Sequence, residues 1–206
     1  MIKRIIFDID NTLLDTYKDC IETYQKYAKK IKLSISAEDI YDIFDEYEKN
    51  NGNYNKNDLA VFLGKKLNIK YTESDLNDLL DLYSKHSTLL NDKTEEIIAY
   101  LSEKYEIVAL SNWYKEIQYK RLKKSNISKY FKEIYGLEDG IKPNELVFKK
   151  SCGKYKYNEC LIIGDSINSD ILVPKKLGMK TIYFNKNLKE NNKEEINNLL
   201  ELKNIL

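Results

Sequence analysis

The chain has 206 residues, enough for one sizeable hydrophobic core or for a core that carries a smaller inserted domain. Hydrophobic residues at 42% and charged residues at 33% place it among ordinary globular proteins and exclude a disordered one. Lys and Arg number 34 against 33 Asp and Glu, and a net charge of +1 argues against a nucleic-acid partner, which calls for a clear basic excess.

Residues 2–7 form a short apolar run rich in β-branched side chains, which predicts a buried strand. The period then changes. Tyr17, Cys20, Ile21, Tyr24, Tyr27, Ala28 and Ile31 recur at helical spacing and predict an amphipathic helix over residues 16–31. Ser36 with Asp39 has the pattern of an N-terminal cap, and Ile40, Ile43, Phe44 and Tyr47 mark the buried stripe that follows. Asn50, Asn51, Gly52 and Asn53 predict a loop. Leu59, Phe62, Leu63 and Leu67 predict a third helix, and Thr72 with Asp75 caps a fourth that runs through Leu76, Leu79, Leu80 and Tyr83. No strand is expected between residues 16 and 88.

From there strands and helices alternate. A helix at 94–102 leads to a strand at 105–110, a helix at 113–124 to a short strand at 134–135, and a helix at 145–152 to a strand at 160–163. A helix over 169–177, which Pro174 should kink or end, leads to the last clear strand at 181–184. Residues 194–205 are expected to close the chain as a helix. Such alternation implies a parallel sheet covered by helices on both faces. The expected fold is therefore α/β: a Rossmann-like parallel sheet core, residues 1–15 and 89–206, with an all-helical cap domain inserted at residues 16–88.

Cys20, Cys152 and Cys160 form no C-x-x-C pair, so neither a disulfide framework nor a zinc site is expected, and His86 alone cannot build a histidine metal site. No stretch approaches the length of a membrane span, and the apolar run ending at Phe7 is too short for a signal peptide. The expected location is cytoplasmic, with no membrane partner.

Ligands of open parallel sheets bind beyond the carboxyl ends of the strands. After the first strand stands Asp8-Ile9-Asp10-Asn11-Thr12, and after the second Ser111-Asn112. After the third strand and a loop comes Lys142-Pro143; after the fourth comes Gly164-Asp165-Ser166, with Asp170 a helical turn on. Carboxylates able to hold a hard divalent cation thus converge with donors able to neutralise a transferring phosphoryl group.

Asp8-x-Asp10-x-Thr12, Ser111, Lys142 and Gly164-Asp165-Ser166-x-x-x-Asp170 resemble the four signature motifs of the haloacid dehalogenase superfamily, in order and each after its own strand. The resemblance covers essentially the whole chain, and the helical insertion resembles that superfamily's type-1 cap. Asn112, Gln118, Arg121-Leu122, Tyr130-Phe131 and Lys142-Pro143 also resemble the subfamily of phosphoglycolate phosphatases and nucleotidase-like enzymes.

The resemblance implies a magnesium-dependent phosphatase acting on a small phosphorylated metabolite. It implies Asp8 as the nucleophile that takes the phosphoryl group, and Asp10 as the acid that protonates the leaving alkoxide and later activates water. Asp8, Asp165 and the backbone carbonyl of Asp10 are then the Mg²⁺ ligands. Ser111 and Asn112 are expected to bind a phosphate oxygen, and Lys142 to offset charge on the phosphoryl group and on Asp8. Thr12 is expected to tie down the first loop, Asp170 to orient Lys142 or a metal-bound water, and Ser166 to stand with them behind the ligands. Gly164 is expected to let the backbone turn sharply after the fourth strand.

Other readings differ in identifiable residues. A dehalogenase of this superfamily lacks the acid two residues after the nucleophile, which Asp10 supplies here. A phosphomutase needs a cap that retains and reorients its phosphorylated product, and residues 16–88 carry no mark of one. A receiver-like signalling module places its phosphorylated Asp after the third strand, and a phosphate-binding pseudoenzyme shows a broken motif. The leaving group stays open among nucleoside monophosphates, phosphoglycolate, sugar phosphates and flavin mononucleotide. Tyr17 and the loop 50–55 with Tyr54 are the expected contacts to it, while His86 is expected to be a hinge or surface residue.

Overall fold

The computed structural model describes residues 1–51 and 55–206, and these form two compact units, Thr16–Thr88 and Met1–Asp15 with Leu89–Leu206. The first unit is made of α1 (Thr16–Lys30), α2 (Ala37–Asn51), α3 (Lys56–Leu67) and α4 (Glu73–Tyr83). Each presents an apolar stripe to the others, and Tyr24 of α1 stacks on Phe44 of α2 at 5.2 Å between ring centroids. The caps lie where the sequence puts them. Ser36 Oγ accepts the Asp39 N–H at 3.0 Å, and Thr72 and Asp75 bond reciprocally, Thr72 N–H to Asp75 Oδ2 at 2.8 Å and Asp75 N–H to Thr72 Oγ1 at 3.3 Å. The expected loop starts late, because α2 continues through Asn50 and Asn51; Gly52, Asn53 and Tyr54 lie outside the described residues.

The exit of this unit is tied to its entrance. Asp19 of α1, fully buried, accepts the Thr88 N–H on both carboxylate oxygens at 3.0 and 3.1 Å. His86 packs alongside, with Nδ1 3.0 Å from Thr23 Oγ1 and Nε2 2.6 Å from Lys26 Nζ. The Leu82 carbonyl also lies 3.1 Å from Nδ1.

The second unit is a six-stranded parallel sheet of β1 (Arg4–Phe7), β2 (Glu106–Leu110), β3 (Glu133–Tyr135), β4 (Cys160–Gly164), β5 (Lys180–Phe184) and β6 (Glu195–Ile196). The strand order is β3-β2-β1-β4-β5-β6. Ile5, Phe7, Ile107, Ala109, Leu161 and Ile163 point to one face, against Ile97, Ile98 and Leu101 of α5 (Thr94–Ser102) and Leu122 of α6 (Lys115–Lys124). Ile6, Val108, Leu110, Cys160 and Ile162 point to the other, against Val147, Phe148 and Cys152 of α7 (Glu145–Cys152). Both faces being covered, the central strands are unbroken apolar runs, and each Ile, Leu or Phe buried in them contributes about 1.5–3 kcal/mol. Arg4 is the polar exception at the far end of β1: its Nε donates to Glu106 Oε1 at 2.8 Å and its Nη1 to the Ser151 carbonyl at 2.6 Å. Where the insertion leaves and rejoins this unit, Leu14 bridges Leu89 and the Leu90 N–H donates to the Leu13 carbonyl at 3.0 Å.

Two segments depart from expectation. Residues 167–177 are not one α-helix: a π-helical turn, Ile167–Leu172, is followed by α8 (Val173–Lys176). Pro174 lies in the first turn of α8, which follows the π-helical turn directly and ends two residues after the proline, at Lys176. The carboxyl terminus forms β6, a 3₁₀ turn at Leu199–Glu201 and the short α9 (Leu202–Ile205) in place of one helix. Asparagine is the cause. Asn192 Oδ1 accepts from the Glu194 and Glu195 N–H groups, and Asn198 Oδ1 from Leu200 N–H, local bonds that compete with a helix. Ile196 meanwhile gains full burial beside β5. Among the described residues no helix is long and apolar enough to cross a membrane.

Candidate active site

The strand order reverses between β1 and β4, which makes the crevice at their carboxyl ends the place where this topology binds ligands. Asp8 leaves β1 there, its N–H still paired to the Ile163 carbonyl of β4 at 2.9 Å. The loop then folds back on itself: Leu13 and Leu14 N–H groups both bond the Ile9 carbonyl at 3.0 Å, and Asn11 takes the left-handed conformation (φ 58°) that asparagine tolerates. This turn brings Thr12 Oγ1 to Asp8 Oδ2, a 3.0 Å hydrogen bond. Thr12 thereby holds the carboxylate itself as well as the loop.

Lys142 joins two carboxylates. Its Nζ donates to Asp8 Oδ1 at 2.7 Å and to Asp170 Oδ1 at 2.6 Å, with Lys142, Asp8 and Asp170 all buried. Oxygens of Asp8, Asp165 and Asp170 lie within 4.8 Å of one another. Three carboxylates less one ammonium leave two formal negative charges in the cluster. At that spacing and an effective dielectric near 20, each pair of carboxylates repels by about 3 kcal/mol or more. The acids respond accordingly. Burial, then Asp170, push the Asp165 carboxyl up to about 6 against the pull of Lys142. Burial also holds the Asp8 carboxyl well above the usual carboxylate range, Lys142 opposing, with Asp170, Asp165 and Asp10 adding to the rise. Burial draws the Lys142 ammonium down, but Asp170 and Asp8 outweigh it and hold it above its ordinary value. An oxygen-only cluster short of positive charge suits a hard divalent cation.

Gly164 serves a purpose other than the expected one. Its φ is not positive, yet a Cβ on it would fall 2.4 Å from Asp170 Cγ, so glycine is needed to admit the Asp170 carboxylate against the end of β4. Asp170 is fixed from its own loop as well, accepting the Ser166 N–H at 3.1 Å on Oδ2 while its N–H donates to the Ser166 carbonyl at 2.8 Å. The wide π-helical turn holds this arrangement.

The Asp10 carboxylate has a set of partners of its own. Arg121 Nη1 donates to its Oδ1 at 2.7 Å; Ser111 Oγ, at 3.0 Å, and Gln118 Nε2 donate to its Oδ2. Gln118 also donates to Ser111 Oγ at 2.7 Å and accepts from Arg121 Nη1 at 2.9 Å. Arg121 and Gln118 are fully buried. In the sequence reading they enter only as family resemblances, without a role. The signal was in α6: its buried stripe is Ile117, Gln118, Arg121 and Leu122, and two polar residues on the inner face of a helix require polar partners.

The two residues expected to grip phosphate are differently engaged. The Ser111 hydroxyl meets Asp10 and the Trp113 N–H. The Asn112 amide is spent on the Lys142 main chain, donating to its carbonyl at 3.0 Å and accepting its N–H at 2.7 Å. Asn112 therefore fixes the Lys142 loop, whose Lys142–Pro143 peptide bond is cis, and leaves its main chain as the group it could offer a phosphate. Tyr17 belongs to the helical unit, half exposed and edge-on to Tyr41 at 5.0 Å.

The sequence model of the haloacid dehalogenase-like hydrolases matches residues 5–184. Glyceraldehyde 3-phosphate phosphatase of Pyrococcus abyssi is 24% identical over 201 residues, covering 89% of this chain and 82% of that protein. Among solved structures, the Bacillus subtilis protein YfnB bound to magnesium superposes with a TM-score of 0.77 at 22% identity, over 99% of this chain and 98% of its own. The 2-haloacid dehalogenase of Pseudomonas syringae superposes with a TM-score of 0.73 at 18% identity, over 100% and 98% of the two chains.

Proposed function

Because the chain belongs to the haloacid dehalogenase-like hydrolase family, we propose that it is a magnesium-dependent phosphatase that hydrolyses a small phosphorylated metabolite through an aspartyl-phosphate intermediate. The observation that carries this reading is the division of labour between two acids two residues apart. Asp8 is buried on Lys142 in an oxygen cluster, and Asp10 is held separately by Arg121, Gln118 and Ser111. A dehalogenase has no need of the second acid.

The residues fit the cation the reading needs: Asp8 and Asp165 would hold magnesium together with the Asp10 carbonyl. When bound, magnesium supplies the positive charge that lets a carboxylate approach an anionic phosphate ester. An Asp8 oxygen attacks phosphorus; the new O–P bond forms as the bond to the leaving oxygen breaks, and Asp10 delivers a proton to that oxygen. Asp10 then takes a proton from water as the water attacks phosphorus, releasing phosphate and restoring the Asp8 carboxylate. Lys142 offsets charge on Asp8 and on the phosphoryl oxygens throughout. Thr12 keeps one Asp8 oxygen in place, and Asp170 and Asn112 keep Lys142 in place. Choice of leaving group is assigned to the helical insertion, with Tyr17 and Tyr54 as candidate contacts.

Phosphate release from a panel of phosphorylated metabolites, with magnesium and with chelator, tests the reading. Activity should vanish on chelation and return with magnesium; full activity in thoroughly chelated enzyme refutes it.

A further inference from the structure

We infer that Arg121, with Gln118, is a positioning residue of the reaction, whose contribution passes entirely through the carboxylate of Asp10. The inference rests on the reading of Asp10 as acid and base. Burying a guanidinium is expensive, and a buried ion pair is seldom a gain in stability over a packed apolar pair. Arg121 is nonetheless fully buried on α6, its Nη1 2.7 Å from Asp10 Oδ1. Asp10 is the more open partner, its side chain 26% exposed, so the pair has one end sealed in the protein and the other facing outward.

The arrangement is a closed ring. Gln118 and Arg121 stand three residues apart on one face of α6, and the Gln118 amide oxygen accepts from Arg121 while its nitrogen donates to Asp10 and Ser111. Swapping the two ends of that amide would set an N–H₂ against the guanidinium and an oxygen against the carboxylate. Its orientation is therefore determined, and with it the plane of the Asp10 carboxylate, gripped on one oxygen by Arg121 and on the other by Ser111 and Gln118. The bonds described here for these three side chains run to Asp10, to one another and to the Trp113 N–H. These bonds orient the Asp10 carboxylate from α6, while Lys142 and Thr12 hold Asp8. Misplacing a reacting group by an ångström can cost about 100-fold in rate, so a held carboxylate is worth more than a free one.

The test is a double-mutant cycle of Arg121→Met and Asp10→Asn, read as kcat and KM with magnesium, alongside calorimetric magnesium affinity of each protein. Arg121→Met should lower kcat roughly 10- to 100-fold while leaving KM and magnesium affinity within about threefold. In the Asp10→Asn background the same substitution should cost nothing further. Multiplying losses would mean that Arg121 acts elsewhere or only supports the fold, and would overturn the inference, as would wild-type kcat in Arg121→Met. If Arg121→Met does not fold, Gln118→Met takes its place in the cycle under the same criterion. Wild-type kcat in Asp10→Asn alone would sink the acid and base reading, and this inference with it; wild-type kcat confined to the Arg121 and Gln118 variants would overturn this inference alone.

Discussion

Lys142→Met isolates the electrostatics of the site. The substitution keeps much of the aliphatic volume and removes the ammonium that Asp8 and Asp170 share at 2.7 and 2.6 Å. Removing one partner of a buried pair costs about 3–5 kcal/mol, and here two carboxylates lose their partner at once. For a chain of this length that corresponds to a fall in Tm of roughly 6–20 °C. The sign with pH follows from the acids. The folded-state pKa of Asp8 is already raised by burial, with Lys142 opposing, and loss of Lys142 raises it further. A raised carboxylate favours the folded state at low pH and loses that contribution as pH rises through its folded value. The deficit of the variant should thus be small near pH 5 and full at pH 8, when measured by calorimetric unfolding in chelator. Saturating magnesium at pH 8 should stabilise the variant more than the wild type, because its cluster carries three formal negative charges in place of two. An equal Tm deficit at both pH values, with no larger gain from magnesium, would mean that Lys142 acts by packing and would refute the charge argument.

Asp8→Asn should abolish turnover and leave no acid-quenched acyl phosphate on the chain; turnover near wild type, after exclusion of deamidation, rules out covalent catalysis at Asp8. In a single turnover in heavy-oxygen water the label should enter phosphate and not the Asp8 peptide, since water attacks phosphorus; label in Asp8 would instead identify an ester hydrolysed at carbon, as in a dehalogenase. Magnesium binding near pH 6 should release protons and weaken as pH falls further, because burial and Asp170 place the Asp165 carboxyl at about 6; a binding enthalpy independent of buffer would count against this. Gly164→Ala should cost about 1–3 kcal/mol and lower kcat by displacing Asp170 from Lys142, to be read by urea unfolding and kinetics; two unchanged values would show that the loop yields to the Cβ at no cost.

The legible parts of this chain are those in which one physical rule acts without competition. A strand buried on both faces must be apolar throughout, so Ile5-Ile6-Phe7 and Leu161-Ile162-Ile163 were visible as strands, and the residues that follow them as strand ends. The reciprocal bonds of Thr72 and Asp75 need only local spacing, and α4 begins where they predict. The carboxyl terminus was misread because Leu199, Leu202 and Ile205 carry a helical period, while the asparagines before them bond their own neighbours and Ile196 pairs with β5. The candidate nucleophile, acid and lysine could be located by order along the chain, but not what holds them. That Asn112 serves Lys142, that Gly164 makes room for Asp170, and that Gln118 and Arg121 reach Asp10 are matters of contact across 30, 6, 108 and 111 positions, on which no periodicity reports.

The ties at the two ends of the insertion have a consequence for what the chain can exchange. Asp19 grips Thr88 within the helical unit, and Leu13 and Leu14 grip Leu90 and Leu89 within the sheet unit. Each unit therefore has a clasp of its own across its open ends. Cutting at Asp15 and Leu89 would leave the flanking residues of the sheet unit already side by side, within reach of a short glycine linker, and would leave the four helices with their termini already clasped. Such a splice permits the grafting of a different four-helix module onto an unaltered catalytic sheet, and gives a family one way to diversify its substrates while its chemistry stays constant.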